Sequence, residues 1–203
     1  MNTLPRIEPD YKGVQTTCAP DQPAWRQWLA DNHNTAKSVW LVIFRKNGPI
    51  PSITYDEAVD EALCFGWIDS SVAKRDSDSY YQFFARRNPK SNWSRVNKLK
   101  VETLTAQSRM APAGIALVEL AMKTGTWDAL NDVENLTAPP DLQAAFTENP
   151  VAETNFNQFP RSAKRGILEW LLTTKQPATR QKRIAEIVSK AGQNERANSF
   201  TRR

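Results

Sequence analysis

The chain has 203 residues, 40% of them apolar and 24% charged, with seven Trp, eight Phe, four Tyr and a net charge of +5. That balance excludes a disordered chain, a collagen-like repeat and a coiled coil. The longest unbroken apolar run, Val39 to Phe44, is too short to span a bilayer.

Residues 1–20 are polar and contain prolines, which predicts an irregular N-terminal arm. Asp21 to Asn34 reads as a helix, with Asp21 as cap, Pro23 in the first turn, and Trp25, Trp28 and Leu29 on one face. Ser38 to Lys46 is a strand of β-branched and aromatic residues, buried on both faces and broken by Asn47-Gly48-Pro49. Thr54 to Phe65 is the clearest helix. Thr54 and Glu57 form a capping box, Tyr55, Ala58, Val59, Ala62 and Leu63 form the stripe, and Asp56, Glu57, Asp60 and Glu61 are expected to face water. Gly66 ends it.

Two strand-like runs follow, Trp67 to Arg75 and Tyr80 to Arg87, joined by the turn residues Asp76-Ser77-Asp78-Ser79. A four-residue loop sets Arg75 opposite Tyr80 and Asp69 opposite Arg86, with Val72 and Phe83 on the other, buried face. Trp93 to Met110 repeats Val96, Leu99, Thr103, Ala106 and Met110 at helical spacing, and Pro112 to Lys123 turns Ile115, Val118 and Met122 inward. Beyond the breaker Ala138-Pro139-Pro140, four short helices are expected at Asp141–Thr147, Pro150–Phe156, Arg161–Thr173 and Pro177–Ala191. The fold class is therefore α+β, a small antiparallel sheet flanked by helices with an all-helical C-terminal segment. Its parts are the arm at 1–20, an α+β domain at 21–137, a helical segment at 138–192 packed on that domain, and a polar tail at 193–203.

Charge is laid out in blocks. Ile53 to Asp69 carries five acids and no bases, whereas Lys74 to Lys100 carries eight bases against Asp76 and Asp78. Gly125 to Gln158 has six acids and no bases, and Phe159 to Arg203 has eleven bases against three acids. Cys18 and Cys64 lack CxxC spacing and the single histidine, His33, stands in no Cys/His cluster, so no metal site is expected. No cofactor is expected either. Met1 to Arg6 lacks the apolar core of an export signal, and with two unpaired cysteines the expected location is cytoplasmic.

The richest stretch for chemistry runs from Gly66 to Asn97. Arg86 and Arg87 end a strand, and Ser91-Asn92-Trp93-Ser94 opens a helix whose first N–H groups attract anions. Trp67, Phe84 and Trp93 offer flat apolar surface, and Asp69, Ser91, Ser94 and Asn97 add polar groups. Together these nine residues predict a pocket for a small anionic ligand, and no catalytic residue is assigned. Two alternatives stand beside it. One is a weak, non-specific nucleic-acid-binding module using Arg86, Arg87, Lys90, Arg95, Lys98 and Lys100. The other is an enzyme with Asp69 as general base. Nucleic acid is not the expected partner, because no RRM, KH, zinc-finger or homeodomain pattern accompanies the bases, and no protein partner is specified.

The strings Thr54–Ala58, Ala62–Ser70, Ser91–Asn97, Met110–Gly114, Gly125–Trp127 and Arg161–Ile184 resemble the bacteriocin-protection family, also called YdeI/OmpD-associated. The resemblance spans about Trp25 to Ala191. It implies a role in protection against bacteriocins or antimicrobial peptides and association with an outer-membrane porin, and it brings no reaction or cofactor. Two departures are Ala85, where the resemblance leads one to expect Pro, and Ser108, where it leads one to expect Gly. The function expected overall is that of a cytosolic binding or stress-protection protein.

Overall fold

The computed structural model describes residues 7–46 and 48–198. Met1–Arg6 of the arm, Asn47 of the first breaker and Ser199–Arg203 of the tail lie outside the described residues. The chain divides into two compact units, Met1–Trp127 and Asp128–Arg203.

Among the described residues, the first unit is built on five strands, β1 (Asp10–Tyr11), β2 (Val14–Cys18), β3 (Ser38–Phe44), β4 (Trp67–Lys74) and β5 (Ser79–Arg86), in the spatial order β1-β2-β3-β5-β4. The α+β class is as expected, but the sheet is mixed rather than wholly antiparallel. β2 runs parallel to β3, with Thr16 opposite Trp40 and Cys18 opposite Val42. Helix α1 (Gln22–Asn32) lies between them in sequence and provides the crossover that parallel neighbours require. Residues 10–11 and 14–18 of the supposedly irregular arm are thus strand; their polar composition hid them because they pair at the sheet's margin.

β3 is central, and both its faces are covered. Val39, Leu41 and Ile43 enter the main core with Trp25, Leu29, Leu63, Trp67 and Phe84. Trp40, Val42 and Phe44 join Tyr81 in a smaller cluster on the other face. Tyr11 of β1 stacks on Tyr81 there, ring centroids 4.2 Å apart.

The β4–β5 register differs from expectation in two steps. Asp76 Oδ1 accepts from the N–H groups of Asp78 (2.8 Å) and Ser79 (2.7 Å), and this tight turn sets Lys74, not Arg75, opposite Tyr80. A bulge between Asp69 and Val72 shifts the pairing again, so Asp69 faces Phe84 and Trp67 faces Arg86. Two one-residue shifts restore the alternation, which keeps Asp69 and Arg86 on the same side of the ribbon but not opposite one another. Val72 is 65% exposed instead of buried, and Phe84, not Phe83, is the fully enclosed ring.

Helix α2 (Tyr55–Cys64) starts as expected: the Thr54 side chain accepts from Glu57 N–H, and the Glu57 carboxylate accepts from Thr54 N–H at 2.9 Å. Those contacts hold the Glu57 carboxyl below its ordinary range. Gly66 follows at φ +73°, the left-handed region that favours glycine. Glu61, expected in water, is 2% exposed. It accepts from Arg26 Nη1 (2.6 Å), Arg109 Nη2 (2.6 Å) and Gln22 Nε2 (3.0 Å). The apolar stripe of α2 carries Glu61 inward, and the two guanidinium groups supply the charge that makes burial tolerable.

Helices α3 (Arg95–Ala106) and α4 (Pro112–Thr124) complete the first unit. Both pack on α2. The α3 stripe is displaced from the predicted one: Val101 and Leu104 are buried, whereas Val96 is 63% and Leu99 55% exposed. α4 approaches α2 through Gly114, where an added Cβ would lie 2.2 Å from the Cys64 carbonyl oxygen.

The second unit contains α5 (Asn131–Asn135), α6 (Pro140–Thr147), α7 (Pro150–Gln158), α8 (Arg161–Leu172) and α9 (Pro177–Gly192). Leu142, Phe146, Phe156, Ile167, Leu171 and Ile187 are among its core residues. Several of its bases serve the fold. Arg180 grips Asp141 through two hydrogen bonds (2.5 and 2.9 Å), which hold that carboxyl below its usual range. Arg183 lies 4.5 Å from the Trp170 ring centroid and donates to the Trp170 carbonyl near the end of α8. Among the described residues, no helix is long and apolar enough to cross a membrane.

Candidate ligand-binding site

The nine predicted site residues separate into four places. Trp67 and Phe84 are 1% and 0% exposed, inside the main core; Trp67 packs edge-on to Trp28, and Phe84 lies against Trp25. A ring enclosed on all sides presents no face to a ligand, and these two are the inward residues of paired strands. Asp69 is half-buried and accepts a 2.7 Å hydrogen bond from the Tyr55 hydroxyl. Burial, with help from that carboxylate, pushes the Tyr55 hydroxyl up to about 12.

Arg86 is exposed and donates through Nε to the Ala36 carbonyl at 2.8 Å. Arg87 has the opposite fate. Its guanidinium lies 3.9 Å from the Trp93 ring centroid and donates to the Asn92 carbonyl at 2.5 Å, while the Nε–H has no partner among the described residues. Burial pulls its pKa down to about 10, with Asp69 acting in the other direction. Ser94 caps α3 by accepting from Asn97 N–H at 3.3 Å, and Ser91 turns back to the Asn88 carbonyl. The structure therefore brings Arg87, Trp93 and the start of α3 together and sets Arg86 apart. Burial also removes Arg87 from any exposed basic strip.

A different place is open. Between α3 and α4 lies a cavity of about 550 Å³, within the size range of ordinary small-ligand sites, roughly 300–1,000 Å³. α3 contributes Val101, Glu102, Thr105 and Ala106; α4 contributes Ile115, Val118, Glu119 and Met122; Met110 and Trp127 complete the lining. Val118 and Trp127 belong to the core edge, whereas Ile115 (43%) and Met122 (55%) remain exposed. None of the nine predicted residues lines it. The cavity exists because α3 and α4 each lean on α2 rather than on each other, and Gly114 lets α4 sit very close to α2. The signal in the sequence was a surplus: the 93–124 stretch has more apolar positions than one buried stripe per helix can use.

The fold and this cavity define a two-unit α+β protein with a sheet-based first unit, a helical second unit, and a hollow of small-molecule size in the first. Residues 135–194 match the model of a family described as bacteriocin-protection, YdeI or OmpD-associated. Residues 17–117 match a domain of unknown function, DUF8412. The string Arg161–Ile184 falls in the first match; Thr54–Ser70, Ser91–Asn97 and Met110–Gly114 fall in the second. No curated protein and no solved structure matches the chain.

Proposed function

We propose that this is a cytoplasmic binding protein that takes up a small, mainly apolar compound in the α3–α4 cavity, and that its protective role consists of sequestering that compound. The observation that carries the reading is the cavity, with its volume of about 550 Å³ and its lining of Val101, Met110, Ile115, Val118, Met122 and Trp127. Large apolar groups left uncovered around a concavity are a marker of binding. The bacteriocin-protection match over residues 135–194 supports the protective part.

The test uses Nile red, a neutral dye that brightens in apolar surroundings. Dye fluorescence should rise with the full chain and fall to background in Ala106→Trp, which fills the hollow from an exposed position. The melting temperature of the variant should stay close to the parent's. Equal dye binding by both proteins rejects the cavity as the site.

A second reading, an anion held beside the start of α3, is favoured by one observation, the unpartnered Nε–H of the buried Arg87. Titration calorimetry with inorganic phosphate and acetate checks it. Binding should vanish in Arg87→Met and survive Arg86→Ala, since Arg86 already serves the Ala36 carbonyl.

A further inference from the structure

Resting on the reading of the α3–α4 cavity as a ligand site, we infer that its ligand is a cationic amphiphile, an apolar body carrying one protonated or quaternary amine. The motivation is the sign of the charge around the hollow. Glu102 lines it from α3 and Glu119 from α4, and among the described residues no lysine or arginine lines it. Both carboxylates are exposed, and neither has a hydrogen bond or ion pair among the described residues. Elsewhere in the first unit, acids that face helix seams are engaged: Glu61 by Arg26 and Arg109, Asp60 by Lys100. Two unpaired carboxylates over an apolar concavity are the exception.

The remaining lining agrees. The Thr105 hydroxyl hydrogen is given to the Val101 carbonyl at 2.8 Å, so toward the cavity that oxygen can only accept. Lys98 Nζ, 5.6 Å from the Trp127 ring centroid, already uses that ring's attraction for cations, so the two carboxylates alone carry the preference. Met110 and Met122 are flexible, polarisable walls that accommodate chains of varied shape. An anion of the same size would meet both carboxylates, against which the described lining itself sets no lysine or arginine. The protein as a whole is positive, with a net charge of +5, so a preference for cations must come from the local pair and not from the overall field.

The test compares three probes of equal chain length on the full protein, each below its micelle-forming concentration: octyltrimethylammonium, 1-octanol and octanoate. Each competes against Nile red. Octyltrimethylammonium should bind about tenfold more tightly than octanol, the effect of two solvent-exposed ion pairs, and octanoate should bind most weakly. In the double variant Glu102→Gln/Glu119→Gln the three affinities should converge while octanol is unchanged. Raising salt to about 0.5 M should shrink the preference in the parent, since exposed charges are screened. Equal binding of octanol and octyltrimethylammonium by the parent overturns the cationic assignment and leaves the cavity standing. So does a preference that survives the double variant. Failure of all three probes to displace dye, or displacement unaffected by Ala106→Trp, overturns the cavity itself.

Discussion

The two flanks of α3 hold acidic side chains under opposite conditions. Toward α2, Glu61 is enclosed and fully engaged by Arg26, Arg109 and Gln22, and Asp60 holds Lys100 at 2.6 Å. Toward α4, Glu102 and Glu119 stand unpaired over an apolar hollow. The first flank uses charge as a clamp between segments distant in sequence. The second leaves charge and apolar surface unused by the fold. The same residue type is structural where the protein supplies its partner and available where it does not.

The largest expected effect comes from the wall that makes the two flanks unequal. Gly114→Ala puts a Cβ 2.2 Å from the Cys64 carbonyl oxygen, so α4 must move off α2. The cost should be about 3 kcal/mol, the upper end for overpacking. Urea denaturation measures it; a loss under about 1 kcal/mol would mean that α4 shifts freely and that the cavity has no fixed width. Glu61→Ala comes next, at about 2–3 kcal/mol. This is less than for a wholly dry pair, because the side chains of Arg26 and Arg109 are 38% and 30% exposed and can turn to water. A near-neutral result would erase the distinction between clamp and open flank.

Ser108, in the link between α3 and α4, sits at φ +56°. Ser108→Gly should relieve left-handed strain and raise stability by about 0.5 kcal/mol after the added freedom of the unfolded chain is subtracted. A loss of stability would show that the serine is held there by more than backbone geometry. Smallest of all, Glu102→Gln and Glu119→Gln should each change stability by no more than about 0.5 kcal/mol, since neither makes a bond to lose. A melt shifted by several degrees in either variant would reveal a structural role and close the comparison.

Local rules carried most of the element pattern. The Thr54–Glu57 capping box, the Asp21 cap and the apolar run at 39–44 are complete within a few residues, and each is found where those residues place it. β1 and β2 were unreadable because their partners lie elsewhere: β2 is a strand only when β3 is beside it. The hairpin register failed for a related reason. A bulge leaves no mark in the alternation of Ser70, Ser71 and Val72, and the Asp76 turn consumes one residue fewer than its composition suggested. Of the candidate site, the proximity of Trp93 to an arginine and the Ser94 cap were readable from their closeness in sequence. Which arginine faces the ring depended on strand direction at residue 86, and Trp67 and Phe84 look alike as pocket walls and as core. The cavity depends on how two helices lean on a third, which no periodicity encodes.

The bulge in β4 has a consequence beyond register. The sheet has two margins, one formed by β1 with two residues and the other by β4 with eight. A straight eight-residue margin would offer a row of unsatisfied amides to any passing chain, and such templates nucleate aggregates. The irregularity between Asp69 and Val72 interrupts that row midway, and Lys74 stands near its end. With the opposite margin only two residues long, neither side gives a second molecule a flat run on which to add a strand. The sheet margins thus offer little for strand addition even though the protein exposes Val72, Val96 and Leu99.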